Sequence, residues 1–197
     1  MSVGACKVAV LNDYQVNVKE QTLFHGDHRT GLKELILRDG KIYTTPDCHH
    51  AEYFSNVKPI GFIRKREVRG PVYECVLESA TILRNPISSS ETDRIKEELR
   101  TALTLLVDNH NASQNVHEEA GKVAQDLSHK VQPAYDNGLT PHEAALRLLG
   151  FDGFQERVRS WFSDDFYDHV VLFSNKKLKI VDERYRETER LLSTIRT

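Results

Sequence analysis

The spacing of apolar residues changes along the chain. Val72 to Leu83 is a long run rich in β-branched residues, which is typical of a strand. From Ser90 onward, apolar residues recur at helical spacing, so they fall on one face of each predicted helix. We therefore predict an α+β fold: a small N-terminal β-sheet with short helices, followed by a mostly helical C-terminal half.

Two amphipathic helices are predicted between Ser90 and Val131. Ser90 caps the first helix, and a polar stretch around Asn111 separates it from a second helix that Asn115 caps and Pro133 ends. Apolar faces of this kind form the core of a helical hairpin, and they also pair between chains. On the second interpretation, the candidate interface of a homo-oligomer consists of Leu99, Leu103, Leu106, Val116, Val123 and Leu127.

A strand-rich region (1–88) and a helical region (89–197) are the predicted units, and together they can form one continuous domain. In the first region we predict strands at Lys7–Leu11, Tyr14–Val18 and Lys41–Thr45, a short helix at Gly31–Arg38, a turn or helix from Pro46 to Tyr53, and a hairpin joining Pro59–Val68 to Val72–Leu83 around Gly70.

The second region carries a clear helix start at Thr140. Thr140 is the cap, Pro141 follows it, and Glu143 completes a capping box, while Gly150 can end the helix. Asp152 is predicted to cap a further helix containing Phe154, Val158 and Trp161. The segment from Leu139 to Trp161 resembles the helix-turn-helix of small DNA-binding domains. Farther on, we predict a hairpin or continued helix at Val170–Phe173 and Leu178–Val181, and a charged helix at Asp182–Arg196.

Composition is that of an ordinary globular protein. The 197 residues are 39% hydrophobic and 28% charged, and the formal net charge of -2 predicts no bulk attraction to nucleic acid or membrane. No apolar run is long enough to cross a bilayer, and the N-terminus lacks a signal-peptide pattern. Cys6, Cys48 and Cys75 form an odd, widely spaced set, typical of a reduced protein. We expect a cytoplasmic protein without membrane association.

Histidines and carboxylates concentrate in two short stretches of the first region. Imidazole, thiolate and carboxylate groups are the side chains that bind zinc and similar metals. The candidate metal ligands are His25, Asp27, His28, His49, His50 and Glu52.

The stretch from Thr22 to His28, with Gly31 following, resembles the motif of metallo-β-lactamase-type hydrolases. Leu23 stands where that family has its first histidine, and no later Gly-His motif follows. The resemblance covers Thr22 to Phe54. It implies a metal-dependent hydrolase with zinc or manganese bound at His25, Asp27 and His28, whereas without it no cofactor is expected.

A basic stretch follows Phe62. Its cations are Arg64, Lys65, Arg66 and Arg69. Such a group can bind a phosphate backbone, and it also suits a solvated edge strand, where charge opposes aggregation.

Three functions follow from these observations. The leading hypothesis is an intracellular, non-enzymatic interaction or regulatory protein that acts through a helical face and self-associates. The second is the metal-dependent hydrolase. The third is a nucleic-acid-binding protein that uses the basic stretch or the Thr140–Trp161 helices.

Overall fold

The computed structural model describes residues 9–60, 64–67, 70–84, 89–108, 113–129, 135–159 and 166–184. The helices are α1 (Ala9–Tyr14), α2 (Cys48–Asn56), α3 (Ser89–Val107), α4 (Gln114–Asp126) and α5 (Pro141–Leu148). The strands are β1 (Gln15–Gly26), β2 (Ile42–Thr44), β3 (Val57–Ile60), β4 (Arg64–Glu67), β5 (Val72–Arg84), β6 (Gly153–Arg159), β7 (Phe166–Leu172) and β8 (Leu178–Arg184).

A six-stranded sheet organises the fold. Its strand order is β1-β5-β6-β7-β2, and β8 also pairs with β5, while β3 and β4 form a separate two-stranded sheet. β1 and β5 are antiparallel from Gln15 opposite Leu83 to Gly26 opposite Val72. β5 and β6 are parallel. A parallel pair requires a long crossover connection, and this one contains α3, α4 and α5.

The sheet curls until its first and last strands meet. Phe24 donates its backbone N–H to the Thr45 carbonyl at 2.7 Å, and Thr45 donates to the Phe24 carbonyl at 2.9 Å. These bonds join the end of β1 to the end of β2 and satisfy backbone groups that would otherwise be exposed at an edge. The loop from Asp27 to Lys41 and helix α2 therefore lie beside this junction.

The largest buried cluster lies between the sheet and the layer formed by α3, α4 and α5. Leu83 and Val171 contribute from the sheet, and Leu99, Ala120 and Leu146 contribute from the three helices. A smaller cluster of aliphatic residues on β1, β5 and β7 fills another part of the sheet. Packing against the sheet, more than helix propensity, is the main source of stability for short helices of this kind.

The predicted fold class is wrong, because the second half of the chain is not mostly helical. β6, β7 and β8 all lie there, and the protein is a mixed α/β structure with strands spread through the chain. The predicted helix after Asp152 is strand β6. Phe154 and Val158 are four residues apart, a spacing that fits one face of a helix and one face of a strand equally well. A Cβ on Gly153 would lie 2.0 Å from the Val171 carbonyl oxygen, so glycine permits the close approach of β7.

Several other predicted elements, in both halves of the chain, are also wrong. Residues 31–38 form an irregular loop instead of a helix, and part of the predicted first strand lies in α1. β4 pairs with β3 and β5 pairs with β1, so the described residues on the two sides of Gly70 do not form the predicted hairpin. β7 and β8 are strands, but they pair with other strands and not with each other. Residues 182–184 belong to β8, and the rest of the predicted terminal helix lies outside the described residues.

Other predictions are confirmed. α3 and α4 occupy the predicted helical hairpin, and β2, α2 and β5 lie where the sequence predicts them. The N-cap of α4 is Ser113, not Asn115. The capping box of α5 is present, with Thr140 as the N-cap and Glu143 at N3, and Gly150 has a φ of 85° just after the helix. The division of the chain at residue 88 stays a prediction; the sheet contains strands from both sides of it.

Candidate functional site

A cavity of about 430 Å³ lies beside the junction of β1 and β2, within the size range of small-molecule sites. Its walls come from the end of β1, the loop before β2, β2 itself, α2, and the strands β6 and β7. The apolar part of the wall includes Phe24, Ile36, Ile42, Phe54 and Val158, and the polar part includes His25, His28, Arg38, Lys41, Tyr43, Glu156 and His169.

One end of the cavity is built on the buried carboxylate of Asp27. Oδ1 accepts from the backbone N–H of His28 at 2.6 Å, from Arg29 N and Nε at 3.1 Å each, and from Arg38 Nη2 at 3.3 Å. Oδ2 accepts from Arg29 Nη2 at 2.6 Å and lies 3.4 Å from His25 Nε2. A charge 1% exposed needs partners of this kind to be tolerated. Asp27 thus holds the loop in place.

The pKa of Asp27 is far below its ordinary value of 3.8. Burial alone would raise it, but hydrogen bonds from His25, from the Arg29 side chain and from two backbone amides favour the charged form and outweigh burial. Asp27 is therefore a permanent anion at neutral pH. Its role is to position the basic side chains around it.

Lys41 joins the cavity wall to the helical layer. Its ammonium donates to Glu143 Oε1 at 2.8 Å and to Oε2 at 2.9 Å, and both residues are buried. Glu143 Oε2 also accepts from the backbone N–H of Thr140 at 2.7 Å, which completes the capping box of α5. Burial would lower the pKa of Lys41, but the bonds to Glu143 raise it above its ordinary value.

Strand register places an acidic and a basic group opposite each other at the other end of the cavity. Directly opposed residues of antiparallel strands project to the same side, as do alternate residues of one strand. Along one side of β6 and β7, the pairs are Phe154–Val171, Glu156–His169 and Val158–Tyr167. The helical layer covers the first pair, and the next two are nearer to α2.

α2 covers this end with His50 and Phe54. His50 stacks on Tyr167 with ring centroids 3.9 Å apart, and its Nε2 lies 2.7 Å from His169 Nε2. His169 Nδ1 lies 3.7 Å from Glu156 Oε1. Burial, followed by the repulsion of His169, lowers the pKa of His50 to about 4. His50 is therefore neutral at pH 7, and the two imidazoles can share one hydrogen.

The structure brings only some of the predicted metal ligands together. His25, Asp27 and His28 adjoin, but both Asp27 oxygens already accept from arginine. His49 is exposed with Nδ1 3.6 Å from Glu52 Oε2, while His50 faces His169. Among the described residues, no three such side chains converge as ligands of one metal. Binding of zinc or manganese stays a prediction, which metal analysis of the untagged protein would test.

The predicted basic stretch lies on and after β4. Arg64, Lys65 and Arg66 belong to β4, which pairs with β3, and Arg69 lies outside the described residues. Nucleic-acid binding by this stretch stays a prediction. The helix-turn-helix alternative is wrong, because the segment from Gly153 to Arg159 is a strand; Trp161 lies outside the described residues.

The predicted helical interface is part of the core. Val116 packs against the main cluster, and the others are buried within it: Leu99, Leu103, Leu106, Val123 and Leu127. These side chains contact one another and the sheet, so in this fold they do not present a surface. A protein partner would have to contact other residues of the helical layer.

Sequence reasoning missed most of the cavity wall. The sequence assigns Lys41 only to a strand and Glu143 only to a helix cap, and neither Glu156 nor His169 belongs to a recognisable motif. No local pattern links Lys41 to Glu143 or His50 to His169, because each pair is far apart in the chain. The one available signal was the grouping of His25, Asp27 and His28.

Within the described ranges, none of the helices combines the length and apolar character that crossing a membrane requires. Comparison of the chain with protein-family models, with curated proteins and with solved structures finds no match.

Proposed function

We propose that this protein is a non-enzymatic regulatory protein that binds a small molecule in the cavity and conveys its presence to the helical layer. One observation carries the proposal: Lys41 lines the cavity, and its ammonium is bonded to Glu143 of α5. The Lys41 side chain, which is part of the cavity wall, is thereby bonded to the first turn of α5.

The character of the cavity supports ligand binding. Small-molecule sites are concave, mostly apolar, and supplied with a few polar groups that orient the ligand. Here Phe24, Ile42 and Val158 provide apolar wall, while Arg38 and Glu156 provide charge.

The connection to the helices supports a regulatory role. The Glu143 carboxylate both caps α5 and binds Lys41, so a ligand that displaces Lys41 changes the cap. The next residues of α5, Ala144 to Leu146, are buried against α3 and α4 in the main cluster. A protein partner, including a second copy of the chain, could then recognise the exposed side of these helices.

Binding can be tested with 8-anilinonaphthalene-1-sulfonate, a fluorescent aromatic anion. Val158→Trp fills the cavity, and Val181→Trp adds the same side chain at a position 49% exposed on β8, outside the cavity wall. We expect saturable one-to-one binding in the unchanged protein and in Val181→Trp. Val158→Trp should weaken it at least tenfold. Equal binding by both variants, or no binding at all, would refute the proposal.

The regulatory step has a separate readout. Amide hydrogen exchange in α5 should change when the probe binds. The change should be lost in Lys41→Met, in which the side chain keeps its length but cannot bind Glu143. An unaltered exchange pattern in α5 would leave a ligand-binding protein without the proposed connection.

A further inference from the structure

We propose that the cavity accepts a nucleotide unit, with its phosphate beside Arg38 and His28 and the edge of its base beside Glu156. This inference rests on the proposed ligand-binding function and names the ligand class. It is carried by the placement of two groups in the cavity wall: the Arg38 guanidinium and the Glu156 carboxylate, each with hydrogen-bonding capacity that no described residue uses.

Donors for a phosphate lie at the Asp27 end. The Arg38 guanidinium binds Asp27 through Nη2, and its other guanidinium N–H groups have no partner within the described residues. His28 Nδ1 lies 3.2 Å from the Ser55 carbonyl oxygen, so Nδ1 carries the hydrogen. Nε2 is left for a ligand, and in the neutral ring it accepts the hydrogen of a singly protonated phosphate. The planar guanidinium fork of arginine matches two phosphate oxygens.

The charge balance at this end also suits an anion. Asp27 supplies one negative charge, whereas Arg29 and Arg38 supply two positive charges around it. Lys41 adds little, because Glu143 neutralises it. A positive charge is therefore left over, and the Arg38 side chain is 59% exposed and can turn toward a ligand.

A ligand group beside Glu156 would have to donate hydrogen bonds. A charged carboxylate only accepts hydrogen bonds. Glu156 approaches His169 Nδ1 at 3.7 Å with Oε1, and Oε2 has no partner among the described residues. A base with adjacent N–H groups on one edge, such as guanine, presents the two donors that a carboxylate can accept together.

Aromatic rings also form part of the cavity wall. Phe54 is 46% exposed and Tyr43 is 45% exposed, and both belong to the cavity wall. Partly exposed aromatic side chains beside cationic groups are typical of sites that stack nucleobases. The cavity has the size of a small-ligand site, so the ligand is a single nucleotide unit, either free or at the end of a strand.

Titration with guanosine monophosphate, guanosine and inorganic phosphate tests this assignment. We expect the monophosphate to bind at least tenfold more tightly than guanosine or phosphate alone. Arg38→Gln and His28→Gln should each weaken the monophosphate at least fivefold and leave guanosine unchanged. Glu156→Gln should weaken both. Arg157→Gln is the matched control, because Arg157 adjoins Glu156 on β6 but lies outside the cavity wall and should have no effect.

A 5′-phosphorylated oligonucleotide added as competitor separates the two sources. Stronger competition by the oligonucleotide than by the free monophosphate identifies a strand end, and the reverse identifies a free nucleotide; either outcome supports the shared chemistry.

If the monophosphate does not bind while the fluorescent anion still does, the nucleotide assignment fails and the ligand-binding function stands. If neither binds, both fail. Binding of the monophosphate that is insensitive to Arg38→Gln and His28→Gln in folded variants would overturn the assigned orientation.

Discussion

Replacing Lys41 with methionine tests the connection between the cavity wall and the helical layer. Lys41→Met keeps the length and apolar stem of the side chain and removes the ammonium. Within the described part of the chain, the Glu143 carboxylate then keeps only the bond from the Thr140 amide, at 2.7 Å. Its carboxylate becomes a buried charge without a cation.

The expected cost follows from burial. The side chains of Lys41 and Glu143 are each 9% exposed. Removing one partner of a buried pair costs about 3 to 5 kcal/mol of unfolding free energy. Because the capping bond still stabilises Glu143, we expect the lower end, about 3 kcal/mol, for Lys41→Met. Glu143→Gln leaves the ammonium unpaired but keeps an acceptor, so it should cost about 2 to 3 kcal/mol.

The double variant measures the interaction energy between the Lys41 and Glu143 side chains. Lys41→Met combined with Glu143→Gln leaves no buried charge, so its cost should fall below the sum of the single costs by about 2 kcal/mol. Urea unfolding followed by circular dichroism measures the unfolding free energies of the three variants, provided that the slope of unfolding free energy against urea concentration is the same in all of them.

An exposed ion pair between α5 and α4 is the control. Arg147 lies 3.7 Å from Glu119, and the two side chains are 44% and 46% exposed. Arg147→Met should change the unfolding free energy by less than about 1 kcal/mol. If Lys41→Met costs no more than Arg147→Met, or if the costs at Lys41 and Glu143 simply add, the connection does not exist as described.

Three other predictions follow from the fold and the site. Asp27→Asn should destabilise the protein by about 3 kcal/mol at pH 7. The folded-state pKa of Asp27 lies well below 3.8, so the difference in unfolding free energy between the variant and the unchanged protein should shrink as the pH falls below 3.8, as urea unfolding would measure. Gly121→Ala, where a Cβ meets open space, should stabilise α4 by about 0.5 to 1 kcal/mol, whereas Gly153→Ala should destabilise the fold by more than about 3 kcal/mol, as thermal unfolding would show. The folded-state pKa of His50 is lowered from 6.5 to about 4, so the free energy of unfolding should decline as the pH falls from 6.5 to 4. The decline should be about 1 to 2 kcal/mol after allowance for solvent screening. His50→Gln should flatten it, and an equal decline in that variant would show that the contact of His50 with His169 is unimportant.

Local sequence signals were sufficient for several elements. The capping box at Thr140 and Glu143 satisfies amides of its own helix, so no distant residue is needed to predict the start of α5. The apolar stripes of α3 and α4 likewise predict helices, and the long apolar run predicts β5. In each case, the determinants lie within the element itself.

Other elements depend on what surrounds them. The segment from Gly153 to Arg159 carries apolar residues at a spacing that fits a helix or a strand, and pairing with β5 and β7 decides for the strand. The loop after Asp27 has helical spacing at Leu32, Leu35 and Ile36. The buried Asp27 carboxylate nevertheless accepts hydrogen bonds from amides and guanidinium groups of this loop, and these bonds hold the loop in an irregular conformation. Tertiary contacts override local preference here.

The candidate site shows the same division. That His25, Asp27 and His28 lie together follows from the sequence, because they are neighbours in the chain. The contacts of Glu143 with Lys41 and of His50 with His169, and the shared cavity of Glu156 and Arg38, arise only in the folded chain. These relations depend on strand register and on the crossover that carries α5 back to the sheet, and neither is encoded within any one stretch of the chain.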